Sequence, residues 1–152
     1  MDISCRGRYA TRAMLDLAAA DPHTPLPLSR IAERQEISRK YLQQLMSELR
    51  RAGLVRVVKG VKGGFLLARG PDEVTVGDIL RALEGDLSVV ECVRYQDLCP
   101  RKSVCLTHDI WARASQVLER YFDAISLGKI LAGEVPMDLG AETSTPPPPL
   151  RS

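Results

Sequence analysis

The feature that most limits what this chain can fold into is a pair of predicted helices followed directly by a predicted hairpin. Ser29 can cap a short helix, "RIAERQ", and "EIS" supplies a three-residue turn. Ser38 can cap the next helix, which Gly53 ends. One stripe of this second helix is apolar at helical spacing: Leu42, Leu45, Met46 and Leu49. A helix, a short turn and a helix in this order predict a helix-turn-helix motif.

The hairpin follows the second helix immediately. Residues 54–58 and 64–68 are β-rich and flank "KGVKG", which supplies a flexible basic tip. A helix-turn-helix with such a hairpin is a winged helix, whose second helix enters the major groove while the hairpin reaches the backbone or the minor groove. A helix over about 6–20 precedes this unit, and "TVGDILRALEG", with Thr75 and Asp78 as a capping box, closes it. The predicted fold class is therefore mainly α with a small β-hairpin.

Candidate DNA contacts lie on the second helix and at the hairpin tip. Six positions off the apolar stripe carry a donor or a cation: Arg39, Lys40, Gln43, Ser47, Arg50 and Arg51. Arginine pairs bidentately with guanine and glutamine with adenine, whereas lysine and serine more often bind phosphate. Lys59 and Lys62 add positive charge at the tip. The alternative is an ordinary amphipathic surface helix with exposed charges.

The charges of the chain are divided unevenly along it. Residues 1–69 hold 13 Lys and Arg against 6 Asp and Glu, whereas residues 70–152 hold 8 against 13. A basic half is typical of a protein that binds a polyanion such as DNA. No apolar run approaches the ~18–20 residues of a membrane span, and the start has no hydrophobic segment of the signal-peptide kind. We therefore expect a cytoplasmic protein with no membrane partner.

A long helix is predicted at "HDIWARASQVLERYFDAIS". Its apolar positions recur at three and four residues and include Trp111, Leu118 and Phe122. Because a small domain leaves such a helix little to pack against, we expect a symmetric homodimer, which would also match two half-sites in DNA. The alternative is that the helix folds back on its own domain.

These patterns divide the chain into four parts. We expect a winged helix over 1–84 and a cluster-binding loop over 85–107, which holds three of the four cysteines. A dimerisation helix with a short C-terminal helix over 108–133 and a disordered proline-rich tail over 134–152 follow. The second and third parts carry the features that an ordinary winged helix does not explain.

Residues 91–108, "ECVRYQDLCPRKSVCLTH", hold three of the four cysteines and one of the two histidines. Six residues separate Cys92 from Cys99, five separate Cys99 from Cys105, and two separate Cys105 from His108. This spacing fits poorly with the knuckles of structural zinc sites and with plant-type ferredoxins. In a reducing compartment, clustered cysteines bind metal or sense redox change more often than they form structural disulfides.

Three thiolates and one imidazole provide the four ligands that a 2Fe-2S cluster needs. Thr107 can cap the long helix, which puts His108 in its first turn, and Arg94, Arg101 and Lys102 would lower the pKa of the thiols. The alternative is a set of buried or incidental cysteines. An iron–sulfur electron-transfer protein is a competing hypothesis, although it would not need a winged helix. The sequence contains no recognisable enzyme constellation.

Four segments, "GRYATRAMLDLA", "ISRKYLQQL", "KGVKGGFLLA" and "CLTHDIW", resemble the Rrf-type winged-helix transcription regulators, most closely their iron–sulfur cluster branch. The resemblance covers residues 1 to about 133. It implies a homodimer with crossed long helices that represses or activates genes according to the state of its cluster. By position, it implies these ligands: Cys92, Cys99, Cys105 and His108. It also implies DNA contacts around six residues: Arg39, Lys40, Tyr41, Gln43, Lys59 and Gly60. To these we add three further candidates: Ser38, Arg50 and Lys62.

Three departures from the family pattern bear on these expectations. The interval from Cys92 to Cys99 is one residue longer than is usual in the family, and this bears on cluster geometry. Lys59 stands where arginine is common in the family and Gln43 where glutamate is common, and both differences bear on which DNA sequences the protein prefers. A sister branch of nitric-oxide-sensing repressors, which implies a 4Fe-4S cluster, takes its fourth ligand from the partner subunit's amino-terminal helix. In this chain, Cys5 lies near that region.

Overall fold

The computed structural model describes residues 3–95, 97 and 99–136, so the predicted tail lies outside the described residues after position 136. Within these ranges the strands form a two-stranded antiparallel hairpin. The elements in chain order are α1 Cys5–Ala19, α2 Leu28–Gln35, α3 Arg39–Arg51, β1 Val55–Val58, β2 Gly64–Leu67, α4 Val76–Glu84, α5 Glu91–Arg94, a 3-10 helix Lys102–Val104, α6 His108–Asp123 and α7 Leu127–Ala132. This architecture confirms the predicted fold class, a mainly α winged helix-turn-helix with an added long helix.

Two of the predicted helix caps are confirmed. The hydroxyl of Ser38 accepts a hydrogen bond from the Tyr41 N–H at 3.1 Å and so fixes the start of α3. Thr75 and Asp78 form the reciprocal capping box of α4, with both hydrogen bonds at 3.1 Å. These side chains satisfy backbone N–H groups that the first turn of a helix leaves without partners.

The start of α2 differs from the prediction. Ser29 does not cap this helix, which begins at Leu28 directly after Pro27. Leu26 pairs with Phe65 of β2 in an antiparallel bridge, with N–O distances of 3.0 and 2.9 Å. The bridge holds the chain extended up to Pro27, and the helix starts as soon as the bridge ends. The tertiary pairing therefore overrides the local capping signal of a serine.

The hairpin turn depends on glycine at two positions. Val58 at the end of β1 lies opposite Gly64 at the start of β2. Gly60, at the tip, has a φ of 115°, which side chains rarely permit. A Cβ at Gly64 would lie 2.4 Å from the carbonyl oxygen of Leu26, so only glycine permits this close approach of two backbones.

One apolar core lies beneath the helices and the hairpin. Burial of a large apolar side chain stabilises a fold by roughly 1.5–3 kcal/mol relative to its exposure. The core joins five helices and includes these side chains, each 0% exposed: Met14, Ile31, Leu42, Met46, Ile79 and Leu127. Because Leu42 and Met46 belong to α3, the same core that stabilises the domain also fixes this helix, which is the predicted recognition helix that enters the major groove.

The long helix α6 is bonded to the winged helix chiefly near its C-terminal end. Backbone hydrogen bonds of 2.9 Å join Val76 to Ile125 and Leu127 to Val74. In the middle of the helix, the N–H of Val89, between α4 and α5, donates to Ser115 Oγ at 3.0 Å, and Ser115 is 3% exposed. Among the residues described, no helix combines the length and the apolar character that crossing a membrane requires.

Candidate DNA-binding surface and cysteine segment

The recognition helix α3 presents its basic residues to the outside. Its apolar stripe is buried in the core, and positions three and four apart share a face of a helix. The exposed face carries the predicted contacts and one amide that sequence reasoning omitted, Gln44. The exposed residues are Arg39, Lys40, Gln43, Gln44, Arg50 and Arg51. This face offers cations for phosphates and amides for base edges.

Two predicted contacts on α3 have partners within the protein. The Gln43 Nε2 lies 3.3 Å from Ser47 Oγ, and that hydroxyl donates to the Gln43 carbonyl oxygen at 2.8 Å. Tyr41 is half-buried and packs edge-on against Tyr9 of α1, with ring centroids 6.2 Å apart. The Gln43 side chain is thus held against its own helix, and Tyr41 joins α3 to α1.

The hairpin tip stands out from the domain. Lys59, Gly60 and Lys62 are exposed, and Val61 between them has a relative exposure of 107%. The Gly63 N–H donates to the Gly60 carbonyl oxygen at 3.0 Å and closes the turn. The predicted wing residues therefore lie together on an open, positively charged loop.

Sequence reasoning missed an ion pair on the recognition helix. Glu48 is the one acidic residue of α3, and the Arg6 Nη2 of α1 lies 2.5 Å from both of its carboxylate oxygens. The two residues are 42 positions apart, so no periodic pattern could indicate their contact. The available sequence signal is that a single acid stands among the basic residues of α3.

The cysteine segment, residues 91–108, carries the four predicted ligands on different local structures. Cys92 lies in α5, Cys99 precedes the 3-10 helix, Cys105 follows it directly, and His108 is the first residue of α6. The three cysteines are free and partly exposed. Within the described ranges, no group of three His, Cys, Asp or Glu side chains is close enough to hold a metal ion. The structure therefore places the four donors on one segment without gathering three of them at one point.

His108 is largely enclosed at the start of α6. Its side chain is 15% exposed, and its Nδ1 lies 3.7 Å from Asp109 Oδ1. Its Nε2 is buried and has no hydrogen-bond partner among the described residues. A buried polar atom without a partner costs roughly 1–3 kcal/mol, which a bound ligand would offset. This nitrogen is thus suited to a ligand bond.

Thr107 lies at the N-cap position of α6, as expected, but its side chain contacts Cys105 instead of capping the helix. Its side chain makes no cap bond, and its hydroxyl oxygen lies 3.4 Å from Cys105 Sγ. The hydrogen bonds of Thr107, followed by that of the His108 backbone, hold the pKa of the Cys105 thiol below its ordinary value. The positive charge of Arg101, which the sequence predicted to lower the pKa of the thiols, does so for Cys105 but contributes the least to the lowering.

Arg94 connects α5 to the segment that follows α4. Its Nε lies 3.6 Å from Asp86 Oδ1, and its Nη2 donates to the Asp86 carbonyl oxygen at 2.5 Å. Asp86 also accepts the Ser88 N–H at 2.7 Å. Hydrogen bonds with Ser88 and, to a smaller extent, the Arg94 charge hold the pKa of Asp86 below its ordinary value. The sequence predicted that Arg94 would lower the pKa of the thiols, and the structure pairs it with this carboxylate.

Comparison with known proteins gives consistent results. The chain matches the family model of Rrf2, described as an iron-dependent transcriptional regulator, over residues 3–133. It is 41% identical to the HTH-type transcriptional regulator IscR of Aliivibrio salmonicida (strain LFI1238) over 131 residues, which cover 86% of this chain and 77% of that protein.

Solved structures of two regulators are also similar to this chain. One is IscR of T. potens, with a TM-score of 0.71, 38% sequence identity and coverage of 88% of both chains. The other is CymR, the global cysteine regulator of B. subtilis, with a TM-score of 0.73, 36% identity and coverage of 88% of this chain and 98% of that chain.

Proposed function

Because this chain belongs to the Rrf2 family of transcriptional regulators, we propose that it binds operator DNA as a homodimer and that an iron–sulfur cluster controls this binding. Its membership confirms the resemblance seen in the sequence and places the chain among regulators, not enzymes. We assign its activity to the cytoplasm, together with the double-stranded DNA on which a transcriptional regulator acts.

The exposed surfaces of α3 and the hairpin support the DNA-binding part of the proposal. Both are basic, and they are the two elements with which a winged helix contacts the major groove and its flanking backbone. We propose that the cations position the protein on phosphates and that Gln43 contacts a base edge. The full proposed contact set is Ser38, Arg39, Lys40, Tyr41, Gln43, Arg50, Lys59, Gly60 and Lys62.

The apolar surface around the start of α6 supports a homodimer. Ile110 is 57% exposed and Trp111 is 42% exposed, and Leu106, just before the helix, is 84% exposed. Large apolar side chains grouped in this way mark an association surface on a protein of this size. A symmetric dimer through α6 would present two recognition helices to two half-sites.

We propose Cys92, Cys99, Cys105 and His108 as the ligands of a 2Fe-2S cluster. The single observation that carries this proposal is the buried, unpartnered Nε2 of His108 on the same segment as three free cysteines. Thiolates and imidazole are the donors that such clusters use. When bound, the cluster supplies a centre whose charge changes with its oxidation state. Binding requires the segment to bring its thiols toward His108.

His108 also supports a link between the ligand site and DNA binding. It is the first residue of α6, the helix through which we propose that the two subunits associate. A ligand bond to its Nε2 would restrain this end of α6, and release would free the segment that joins α6 to the winged helix. Operator affinity is then expected to differ between the two states.

Anaerobic purification followed by visible absorption and a duplex-binding assay tests both parts of the proposal. We expect thiolate-to-iron absorption, a 2Fe-2S electron paramagnetic resonance signal after reduction, and different operator affinities with and without the cluster. Colourless, iron-free protein would contradict the cluster, and failure to bind any duplex at low salt would contradict DNA binding. A 4Fe-4S spectrum would instead favour the nitric-oxide-sensing alternative.

A further inference from the structure

We propose that Arg6 is a positioning residue of the DNA-binding surface, because it neutralises Glu48, the one carboxylate of the recognition helix. This inference rests on the proposed DNA binding and adds a residue that lies outside both α3 and the hairpin. Arg6 would act through Glu48 and would not need to contact DNA itself.

The geometry of the pair supports neutralisation. The Arg6 Nη2 lies 2.5 Å from both oxygens of Glu48, so one guanidinium nitrogen spans the whole carboxylate. The side chains are 42% and 29% exposed, and therefore lie at the edge of the surface that faces solvent. Charge-assisted hydrogen bonds of this kind are among the strong ones in proteins.

Glu48 borders the face of α3 that carries the proposed DNA contacts. It is four residues after Gln44 and three residues before Arg51, and both of these are exposed. Residues at these spacings are neighbours on a helix surface. A bare carboxylate here would repel phosphates that lie within the screening length of about 10 Å at 0.1 M salt. Pairing with Arg6 removes most of that repulsion.

The first turn of α1 holds Arg6 in place for this contact. Ser4 Oγ accepts the Arg6 N–H at 3.1 Å, and its hydroxyl donates to Glu84 at the end of α4. The Gly7 N–H donates to the same Glu84 carboxylate at 3.1 Å. A Cβ at Gly7 would lie 2.8 Å from Leu80 Cδ2, which shows how closely α1 and α4 pack here. Because this backbone is already fixed, pairing with Glu48 has to order only the side chain of Arg6.

The test compares operator binding by wild type, Arg6→Ala, Glu48→Gln and the double variant. All are full-length proteins, and all are compared either with the cluster bound or without it. We expect Arg6→Ala to weaken binding by roughly threefold per subunit and so by about tenfold for a dimer, because it exposes Glu48 to the phosphates. Glu48→Gln should bind at least as well as wild type, and the double variant should return to within about twofold of Glu48→Gln.

Arg34→Ala is the matched control. Arg34 of α2 pairs with Asp16 of α1 at 3.9 Å, so this change also removes one positive charge and one interhelical ion pair, but the pair involves no residue of α3. We expect it to reduce operator affinity by less than twofold. Thermal unfolding of all variants separates a loss of DNA binding from a loss of folded protein.

Three results would overturn the inference. A double variant as weak as Arg6→Ala would make Arg6 a direct phosphate contact. Unchanged affinity in Arg6→Ala would remove it from the DNA-binding surface. An equal loss of operator affinity in Arg34→Ala would show that the effect comes from the change in net charge alone. Failure of the wild type to bind any duplex would overturn the proposed function instead, so the two failures are distinguishable.

Discussion

The winged helix and the cysteine segment are built in opposite ways. In the winged helix, core side chains such as Met14, Leu42 and Met46 are 0% exposed, and side-chain caps fix the starts of α3 and α4. In the cysteine segment, no described residue from 91 to 108 is buried. A DNA-binding unit must keep the spacing of its contacts, whereas a segment that binds and releases a ligand must change shape at low free-energy cost.

The largest expected difference between the two regions concerns core packing. Leu45→Ala should lower the free energy of unfolding by about 2–5 kcal/mol, because Leu45 is 1% exposed and its loss leaves a cavity under α3. Val104→Ala, a truncation in the cysteine segment outside the proposed dimer surface, should change it by less than about 0.5 kcal/mol, because Val104 is 68% exposed. Urea unfolding of both variants measures the difference, and similar losses would remove the contrast.

A change at His108 should affect ligand retention without a comparable loss of fold. We expect His108→Ala to lose the cluster at least about tenfold faster than wild type, because a ligand position opens. His108→Cys should retain it longer, at a lower reduction potential, because all four ligands are then thiolates. Visible absorption over time and redox titration measure these effects.

The acid sensitivity of retention offers an independent check on His108. An imidazole binds iron only when neutral, so wild type should lose its cluster faster as the pH falls, and His108→Cys should show a weaker dependence on pH. If His108→Ala keeps the wild-type spectrum and potential, the histidine is not a ligand. Cys5, exposed at the start of α1, then becomes the residue to replace next.

Substitutions within the DNA-binding surface should separate sequence recognition from general affinity. Gln43→Ala should reduce the ratio of operator to random-duplex affinity by about tenfold, because a base-edge contact carries sequence information. Lys59→Ala should weaken binding to both duplexes by similar factors and lower the salt dependence by about one counterion per subunit. Fluorescence anisotropy over a range of salt concentrations measures both effects. Equal losses on both duplexes in Gln43→Ala would exclude a base contact.

The smallest expected effect concerns the carboxylate that connects the two regions. The pKa of Asp86 is held below its ordinary value, so its charged form stabilises the fold at pH values above the ordinary carboxyl range. This contribution disappears as the pH falls through the lowered pKa. Asp86→Asn should therefore be less stable than wild type at pH 7 by under about 1 kcal/mol, and this difference should shrink as the pH falls below the ordinary carboxyl range. A difference that does not shrink with falling pH would point to packing as the cause.

Local rules explain which parts of the fold could be predicted. Ser38 and Thr75 cap their helices as expected, because each bond reaches only three residues along the chain. The expected cap at Ser29 is wrong, and Thr107 takes the N-cap position without the expected side-chain bond, because other partners determine the structure at both places. The bridge between β2 and the residue before Pro27 sets the start of α2, and the Thr107 hydroxyl contacts Cys105 instead of α6.

The sequence suggested a set of candidate ligands but not their geometry. The clustering of Cys92, Cys99, Cys105 and His108 made them candidate donors, but it carries no information on how far apart the loop holds them. Spacing likewise does not show that the His108 Nε2 is buried, nor which positions distant in sequence meet. Contacts between such distant positions, like the one between α1 and Glu48, follow from helix packing that sequence periodicity does not specify.

The placement of the bonds that hold α6 has a mechanical consequence. The helix has 16 residues and is therefore about 24 Å long, with its backbone joined to the winged helix next to Ile125 and Leu127 and with His108 at the opposite end. A rotation of about 5° around the bonded end would displace His108 by about 2 Å, roughly the length of an iron–ligand bond. If the hydrogen bond to Ser115 in the middle of the helix yields, α6 would act as a lever, so that a small turn at one end gives a shift large enough to make or break the proposed ligand bond at the other.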